Sequence, residues 1–458
     1  MKTHHYIFLT TLIFVIVFYN EDIGLNLGIV GIAYAVLALY KTPAQNKTRE
    51  FLIIFVTSIL SSIAFAWYGD FASFLAVLSS HLLLAYRSRN RKMKILLLIP
   101  VFVTNGFTFI CRFFNFDKWL PKTNTSGLLQ KVIAFVLIPL ILVAIFFGIY
   151  AAGSSHFADL FSNYEWDINI WQLIVITVLG FFIAFNYWNF VVEKLIYRQN
   201  LILDNEFDEA AKIQKPTYSF LDLNSERMSG VISLFCLNIL LAVFIFTFNY
   251  EQFVEVQKTT IQLGEETHER VNAVILSIIM AILVIMMYFK GGFNFDVKAK
   301  SLKILAKVWI FLNVILIISA FVKNTEYIID MGFTYKKLGV YAFLILSLIG
   351  LILTFIKIHT QKTNAYLFNS MVWAVYGTVL ACSFINWGGI ITMQNSKRSD
   401  FAVNFHLHSI SFSEKQLIKY AEEKKDERLL KEVTVKTEQQ KHNTFLSKIL
   451  FYETTKTK

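Results

Sequence analysis

Long apolar runs separated by short polar linkers dominate the chain. Twelve runs lie near 5–20, 23–40, 51–68, 71–86, 94–111, 132–152, 168–192, 231–249, 271–289, 304–322, 337–356 and 366–386. Several approach the roughly 20 residues that a helix needs to cross the hydrocarbon core of a bilayer. The runs show no alternation of period two, which excludes a β-barrel because barrel strands alternate between lipid and lumen. The pattern predicts an all-α polytopic membrane protein.

Composition supports this class. Of 458 residues, 56% are hydrophobic and only 16% are charged, whereas soluble domains carry about 25% charged residues. The net charge of +11 comes from cations in short linkers, where they orient spans, so no nucleic-acid partner is predicted. Three scattered cysteines are too few for a disulfide framework or a zinc site. No metal or cofactor is predicted.

The distribution of Lys and Arg predicts the topology. Linkers 41–50, 193–230, 290–307 and 357–365 are basic, whereas 20–22 and 153–167 contain no Lys or Arg. Twelve crossings would place the acidic 153–167 linker in the cytoplasm and the basic 290–307 linker outside, against the positive-inside rule. One apolar run is therefore expected not to cross.

The run that fits this exception is Ile95–Phe114. It has basic residues on both sides and contains Pro100, Asn105 and Gly106, which is typical of a re-entrant or interfacial segment. We therefore predict about eleven transmembrane helices, with the N-terminus cytoplasmic and the C-terminus periplasmic. A twelfth genuine span remains the alternative.

This topology divides the chain into two parts. Residues 1–395 form the multi-span domain, with a cytoplasmic linker at 193–230 and an outer loop at 250–270. Residues 396–458 form a small soluble tail outside the cytoplasm. In the tail, FAVNFHLHSIS (401–411) alternates like a strand. Ser413 with Gln416 predicts a capping box that opens an amphipathic helix through Leu429, and 444–451 is a second amphipathic piece.

His406 and His408 would share one face of that predicted strand. Two imidazoles without a third ligand make a weak metal site, so a solvated strand face is the preferred interpretation. Farther upstream, Lys336 and Lys337 lie on the predicted outer side, against the orientation rule. Binding of an anionic headgroup or of a partner is one explanation for these two lysines.

Several motifs resemble one known family. They are FYNEDIGLNLGI (18–29), SSIAFAWYG (61–69), 138–160, 215–241, THERVNAVILSIIMAI (267–282), GFTYKKLGVYAFL (332–344) and INWGGIITMQNSKR (385–398). The chain is similar along nearly its whole length to bacterial multi-pass membrane proteins described as domains of unknown function 4153 and 4173, in the form found in Bacteroidetes. The resemblance implies a bacterial inner-membrane protein without a known reaction, and it supplies no catalytic residues.

A charged cluster precedes the ninth apolar run. It consists of Glu266, His268, Glu269, Arg270 and Asn272. Acids in a first helical turn are stabilised by the helix dipole, so a plain helix start is one interpretation. The other is a proton or cation site, which would require some of these charges to lie below the membrane interface at a cost of roughly 2.5–3.5 kcal/mol each.

Polar residues inside the predicted spans are few. They are His81, Asn186, Asn189, Asn238, Asn313 and Asn386. Such residues typically form hydrogen bonds between helices, and Asn186 and Asn189 would share one helix face. No H-E-x-x-H, G-x-S-x-G, Walker or Rossmann motif is present, so no catalytic residue is predicted.

Three functions from different classes remain open. The first is a non-enzymatic sensing or regulatory module that contacts membrane lipids or a protein partner through the tail and the 193–230 linker. The second is a transporter of a small or lipid-like solute. The third is a membrane enzyme acting on a lipid-linked substrate, with His268 and Glu269 as an acid/base pair.

Overall fold

The computed structural model describes residues 2–120, 135, 138–154, 156–157, 169–210, 212–213, 216, 220–253 and 260–456, without the side chains of 141, 144 and 252–270. Within these ranges the structure contains helices and no strand. The first ten helices are α1 (Thr3–Phe18), α2 (Leu25–Lys41), α3 (Arg49–Tyr68), α4 (Phe71–Arg89), α5 (Leu98–Phe107), α6 (Phe109–Phe113), α7 (Phe116–Trp119), α8 (Ile138–Gly153), α9 (Ile170–Trp188) and α10 (Lys194–Ile202).

The remaining helices follow in the second half of the chain. They are α11 (Leu223–Phe253), α12 (Thr260–Tyr288), α13 (Lys300–Met331), α14 (Tyr335–His359), α15 (Asn364–Ser383), α16 (Trp387–Asn395), α17 (Val403–Ser409), α18 (Glu414–Lys424), α19 (Glu427–Lys441) and α20 (Leu450–Glu453). Short 3₁₀ turns lie at Ala44–Asn46, Ile95–Leu97, Gly292–Asn294, Val297–Ala299 and Phe445–Ser447.

Eight of the described helices are long and apolar enough to cross a membrane. They contain the stretches Arg49–Tyr68, Phe71–Arg89, Ile170–Trp188, Leu223–Glu251, Val271–Tyr288, Val297–Met331, Tyr335–His359 and Asn364–Ser383. Shorter apolar helices, of 10–17 residues, lie at Thr3–Phe18, Leu25–Lys41, Ile95–Phe107 and Ile138–Gly153. The chain is therefore an all-α integral membrane protein, and the number of eleven crossings stays a prediction.

The helices pack around two main apolar cores. The first core joins α1 to α5 with α9 and includes Phe51, Tyr86 and Phe185. The second joins α11, α12, α13 and α14 and includes Leu234 and Ile285. Helix α15 packs against both α4 and α14 and connects the two groups. A third, small core lies in the tail between α17, α18 and α19.

Short connections place the loops at two opposite ends of the helices. Loops 19–24, 69–70, 332–334 and 384–386 lie at one end, which we call the tail end because the tail contacts it. Loops 42–48, 90–94, 189–193, 289–299 and 360–363 lie at the other, which we call the basic end. The tail therefore lies at the end of the helices opposite the cation-rich linkers, and which of the two ends faces the cytoplasm stays a prediction.

Segment 95–113 does not run from one end to the other. It is divided at Thr108 into α5, of 10 residues, and α6, of 5 residues. Asn105 Nδ2 donates to the carbonyl of Val191 at 2.7 Å, and Arg112 Nη1 donates to that of Asn189 at 2.7 Å. Both residues thus lie beside the carboxyl end of α9, at the basic end. Ten helical residues extend only about 15 Å, a geometry that suits a re-entrant or interfacial segment.

The predicted strand in the tail is wrong, because Val403–Ser409 is helical. His406 and Leu407 are buried and His408 is exposed, so the two imidazoles do not share a face. The predicted capping box is also wrong. The Ser413 hydroxyl donates to the carbonyls of His406 and Ile410 at 3.1 and 3.0 Å and caps no amide.

The amphipathic helix predicted through Leu429 is interrupted. Lys425 adopts a left-handed conformation, with φ of +56°, and ends α18. Asp426 then caps α19 by accepting a hydrogen bond from the amide of Leu429 at 3.0 Å. The two helices pack against each other as a hairpin with Leu417 and Val433 in its interior.

Candidate functional site

The charged cluster predicted at 266–272 lies within α12. This helix begins at Thr260, six residues before Glu266, so the cluster does not occupy the first helical turn and the helix-start interpretation is wrong in that respect. The side chains of Glu266, His268, Glu269 and Arg270 lie outside the described residues. Asn272 is described and exposed. The proposed chemistry of the cluster stays a prediction.

In the first helix group, two of the predicted polar residues make side-chain contacts between helices. His81 Nε2 of α4 lies 3.2 Å from Ser62 Oγ of α3. Asn186 of α9 donates to the carbonyl of Phe182 at 2.9 Å and accepts a hydrogen bond from Arg112. Asn189 follows the last residue of α9, and its carbonyl accepts from Arg112.

In the second group, the two predicted amides differ in their partners. Asn238 of α11 donates to the carbonyl of Leu305 in α13 at 3.1 Å, whereas Asn313 donates within its own helix to Trp309 at 2.8 Å. Among the described residues, neither side-chain oxygen has a hydrogen-bond partner.

Asn386 was predicted inside a span, and the structure corrects this. It caps α16 by accepting a hydrogen bond from the amide of Gly389 at 2.7 Å, and it donates to the carbonyl of Phe412 in the tail at 3.1 Å. Asn386 is therefore a docking contact between the tail end and the tail.

A buried polar cluster at the tail end is the candidate functional site. Asn395, the last residue of α16, accepts a hydrogen bond from the amide of Phe333 at 2.7 Å and donates to the carbonyl of the same residue at 2.9 Å. Its Nδ2 also lies 3.2 Å from Nε2 of His406, and Nδ1 of His406 lies 2.8 Å from the hydroxyl of Thr392. His406, Asn395 and Thr392 are 2%, 7% and 0% exposed. We call these three residues the His406 cluster.

The partners of Asn395 fix the protonation of His406. Because the amide oxygen of Asn395 accepts from Phe333 N–H, the group facing His406 is the amide nitrogen, which is a donor. Nε2 must therefore be the unprotonated acceptor, and the single proton of the neutral ring lies on Nδ1 and is donated to Thr392. Burial lowers the pKa of His406 from its ordinary value of 6.5 to about 4, which agrees with a neutral ring.

A buried ion pair holds the tail hairpin to α17. The carboxylate of Glu414 is fully buried and lies 3.1 Å from Nζ of Lys436. Lys436 also donates to the carbonyl of Leu407 at 2.7 Å. The pair therefore joins α18 and α19 to the helix that carries His406.

The last part of the tail docks on the loop between α1 and α2. The hydroxyl of Ser447 accepts a hydrogen bond from the amide of Asp22 at 2.7 Å, and the amide of Leu25 donates to the carbonyl of Lys448 at 3.0 Å. Glu21 accepts hydrogen bonds from Thr444 and Ser447. A Cβ atom on Gly24 would lie 2.4 Å from the carbonyl oxygen of Ser447, so the close approach requires glycine.

The structure gives Lys337 a role that the charge pattern did not indicate. Its ammonium group donates to the carbonyls of Gly332 and Tyr327 at 2.8 and 3.0 Å and lies 3.7 Å from the Tyr327 ring. It thus binds the carboxyl end of α13, where a cation is favourable. Lys336 is exposed. The buried position of Lys337 accounts for one of the two lysines that run against the orientation rule.

The family described as a domain of unknown function (DUF4153) matches residues 51–418. The chain belongs to this family. The matched region includes α16, α17 and the whole His406 cluster, and it ends inside α18, so the docking segment at 444–453 lies beyond it. None of the curated proteins and none of the solved structures matches the chain.

The sequence did not point to the His406 cluster as a site. In the sequence, His406 stands out only as a potential metal ligand, and Asn395 only as part of the motif INWGGIITMQNSKR. Among the described residues, no group of three or more His, Cys, Asp or Glu side chains could hold a metal ion. The available signal is that a histidine follows, eleven residues later, the Asn near the end of a family motif. This spacing does not show which atoms of the two side chains face each other.

Proposed function

We propose that this protein is a non-enzymatic sensing or regulatory membrane module in which the C-terminal tail is the responding part. The observation that carries the proposal is that buried or partly buried polar contacts attach the tail to both helix groups. Ser447 and Lys448 bind the α1–α2 loop of the first group. His406, through Asn395, is linked to Phe333 in the α13–α14 loop of the second.

A segment attached to both groups responds to their relative position. A ligand, lipid or partner that binds one arrangement of the two helix groups more tightly shifts the groups towards that arrangement. The docking of the tail then changes by as much as the difference in the ligand's binding free energy for the two arrangements. The exposed surface of α18 and α19, which is rich in Lys and Glu, is then the surface offered to a partner. Undocking of the tail would be an order-to-disorder transition, which is one of the known types of switching element.

The test uses one glycine at the docking contact and one in open space. Gly24→Ala places a methyl group against the backbone of Ser447, whereas a Cβ on Gly339 meets no atom within 4 Å. We expect Gly24→Ala to insert normally, to expose the tail to protease in spheroplasts, and to fail to rescue a deletion phenotype, while Gly339→Ala rescues it. Full rescue by a Gly24→Ala protein with an exposed tail would refute the regulatory function.

A further inference from the structure

Three cationic side chains converge on the carboxyl end of α9. The carbonyl oxygen of Trp188 accepts hydrogen bonds from both Lys41 Nζ, at 3.3 Å, and Arg89. Two nitrogen atoms that donate to the same oxygen lie at most about 6 Å from each other. Arg89 also donates to the carbonyl of Phe190 at 2.9 Å, and Arg112 donates to that of Asn189 at 2.7 Å. The cations come from α2, α4 and α6, so only the folded bundle brings them together.

Within the described part of the chain, this positive charge has no ion-pair partner. Two neighbouring cations at the basic end do have acidic partners: Arg87 pairs with Glu50 and Lys94 with Asp204, each within 3 Å. Among the described residues, no carboxylate lies within ion-pairing distance of Lys41, Arg89 or Arg112. Glu193 acts on Arg112 from a longer range and is exposed.

The carboxyl end of α9 compensates only part of the positive charge of these three side chains. The carboxyl end of a helix is equivalent to about half a negative charge, and here it faces three positive charges. Each of the three side chains is half-buried, and unpaired charges that lose hydration are unfavourable. An anion from outside the chain would balance this charge.

Free donors are available for such an anion. Lys41 makes one long hydrogen bond and otherwise lies over the rings of Tyr6 and Trp188, at 5.1 and 4.8 Å. Arg89 uses two of its five N–H groups. Arg112 is more fully engaged, with bonds to Asn189, Asn105, Asn186 and Thr108. Lys41 and Arg89 are thus the groups that would contact a ligand, and Arg112 adds to the positive electrostatic potential at the site.

We propose that Lys41 and Arg89, supported by Arg112, form a binding site for a phosphate group at the basic end of the helices. A guanidinium fork beside an ammonium group suits the oxygens of a phosphate in geometry and charge. The phosphate can belong to an anionic lipid headgroup or to free inorganic phosphate. Basic pockets between membrane helices bind lipid headgroups through the same chemistry.

The test compares the full-length protein in nanodiscs of zwitterionic phosphatidylcholine with and without phosphatidylglycerol. Thermal unfolding reports stabilisation, and native mass spectrometry counts retained phosphatidylglycerol. We expect phosphatidylglycerol to raise the unfolding midpoint of the wild type. Lys41→Gln and Arg89→Gln should each weaken retention at least about tenfold, which corresponds to about 1.4 kcal/mol. Lys92→Gln removes the same charge from an exposed position of the adjacent loop and should retain the lipid.

The variants and the second ligand make the outcome decisive. If Arg89→Gln does not fold, Lys41→Gln carries the test, because the Lys41 ammonium makes one long hydrogen bond of 3.3 Å and two ring contacts at about 5 Å. Millimolar inorganic phosphate is then added in phosphatidylcholine. If it alone reproduces the stabilisation, the site takes free phosphate; if only phosphatidylglycerol does, it takes a headgroup. Equal losses in Lys41→Gln and Lys92→Gln, or no response to either ligand, would overturn the proposal.

Discussion

Protonation of His406 should release the tail from the tail end. In the docked tail, Nε2 of His406 accepts from Asn395, and a proton placed there would face another donor. Asn395 cannot turn its oxygen towards the ring without losing the bond from Phe333 N–H. The pKa of His406 is about 4 when docked and about 6.5 when exposed to water. The undocked tail therefore binds more protons between these values, and docking weakens as the pH falls from 6.5 towards 4.

The size of the effect follows from the difference in pKa. Each pH unit below 6.5 reduces the docking free energy by at most about 1.4 kcal/mol, so lowering the pH to 5.0 removes up to about 2 kcal/mol. This raises the fraction of undocked tail by up to about 30-fold. Hydrogen exchange of the tail amides measures that fraction, once rates are corrected for the intrinsic effect of pH on exchange. His406→Asn should remove most of the pH dependence.

A second histidine supplies the control. His408 is exposed, and His408→Asn should leave the pH dependence of the wild type intact. The Glu414–Lys436 pair is present in every variant, so any contribution it makes is common to all of them. The argument would be refuted if His406→Asn and His408→Asn gave the same change in tail protection between pH 6.5 and 5.0.

Two other predictions concern the ion pair and the cluster in α12. Lys436→Met leaves the buried carboxylate of Glu414 without a cation and should lower the stability of the hairpin by roughly 3 kcal/mol, as measured by hydrogen exchange. The double variant with Glu414→Gln should recover stability. Equal loss of stability in the single and the double variant would contradict the pairing. Glu269→Gln and His268→Ala should each be expressed normally and rescue a deletion phenotype if the protein is regulatory. Loss of rescue with normal expression would instead favour the transporter or the lipid-linked enzyme.

Part of the candidate site follows from sequence and part does not. The motif ending at Asn395 and the presence of an amphipathic tail are visible in the chain. The role of His406 is not, because it depends on Asn395, eleven residues away, and on Phe333, in a loop 62 residues before Asn395. Period two in FAVNFHLHSIS also predicted a strand, whereas burial against α16 and α18 selects a helix. A run this short does not distinguish the two by periodicity.

The sequence by itself determined the class of this protein, and it predicts the sidedness of its linkers. Long apolar runs must form helices in lipid because only helices satisfy their backbone groups within one segment, and this property is local. Tertiary structure alone decided which polar atoms meet. Lys337 binds the end of α13, three cations gather at the carboxyl end of α9, and the tail reaches both helix groups. These contacts join residues that are far apart in the chain. They cannot be predicted from the sequence because the partner of a side chain depends on how all the intervening helices pack.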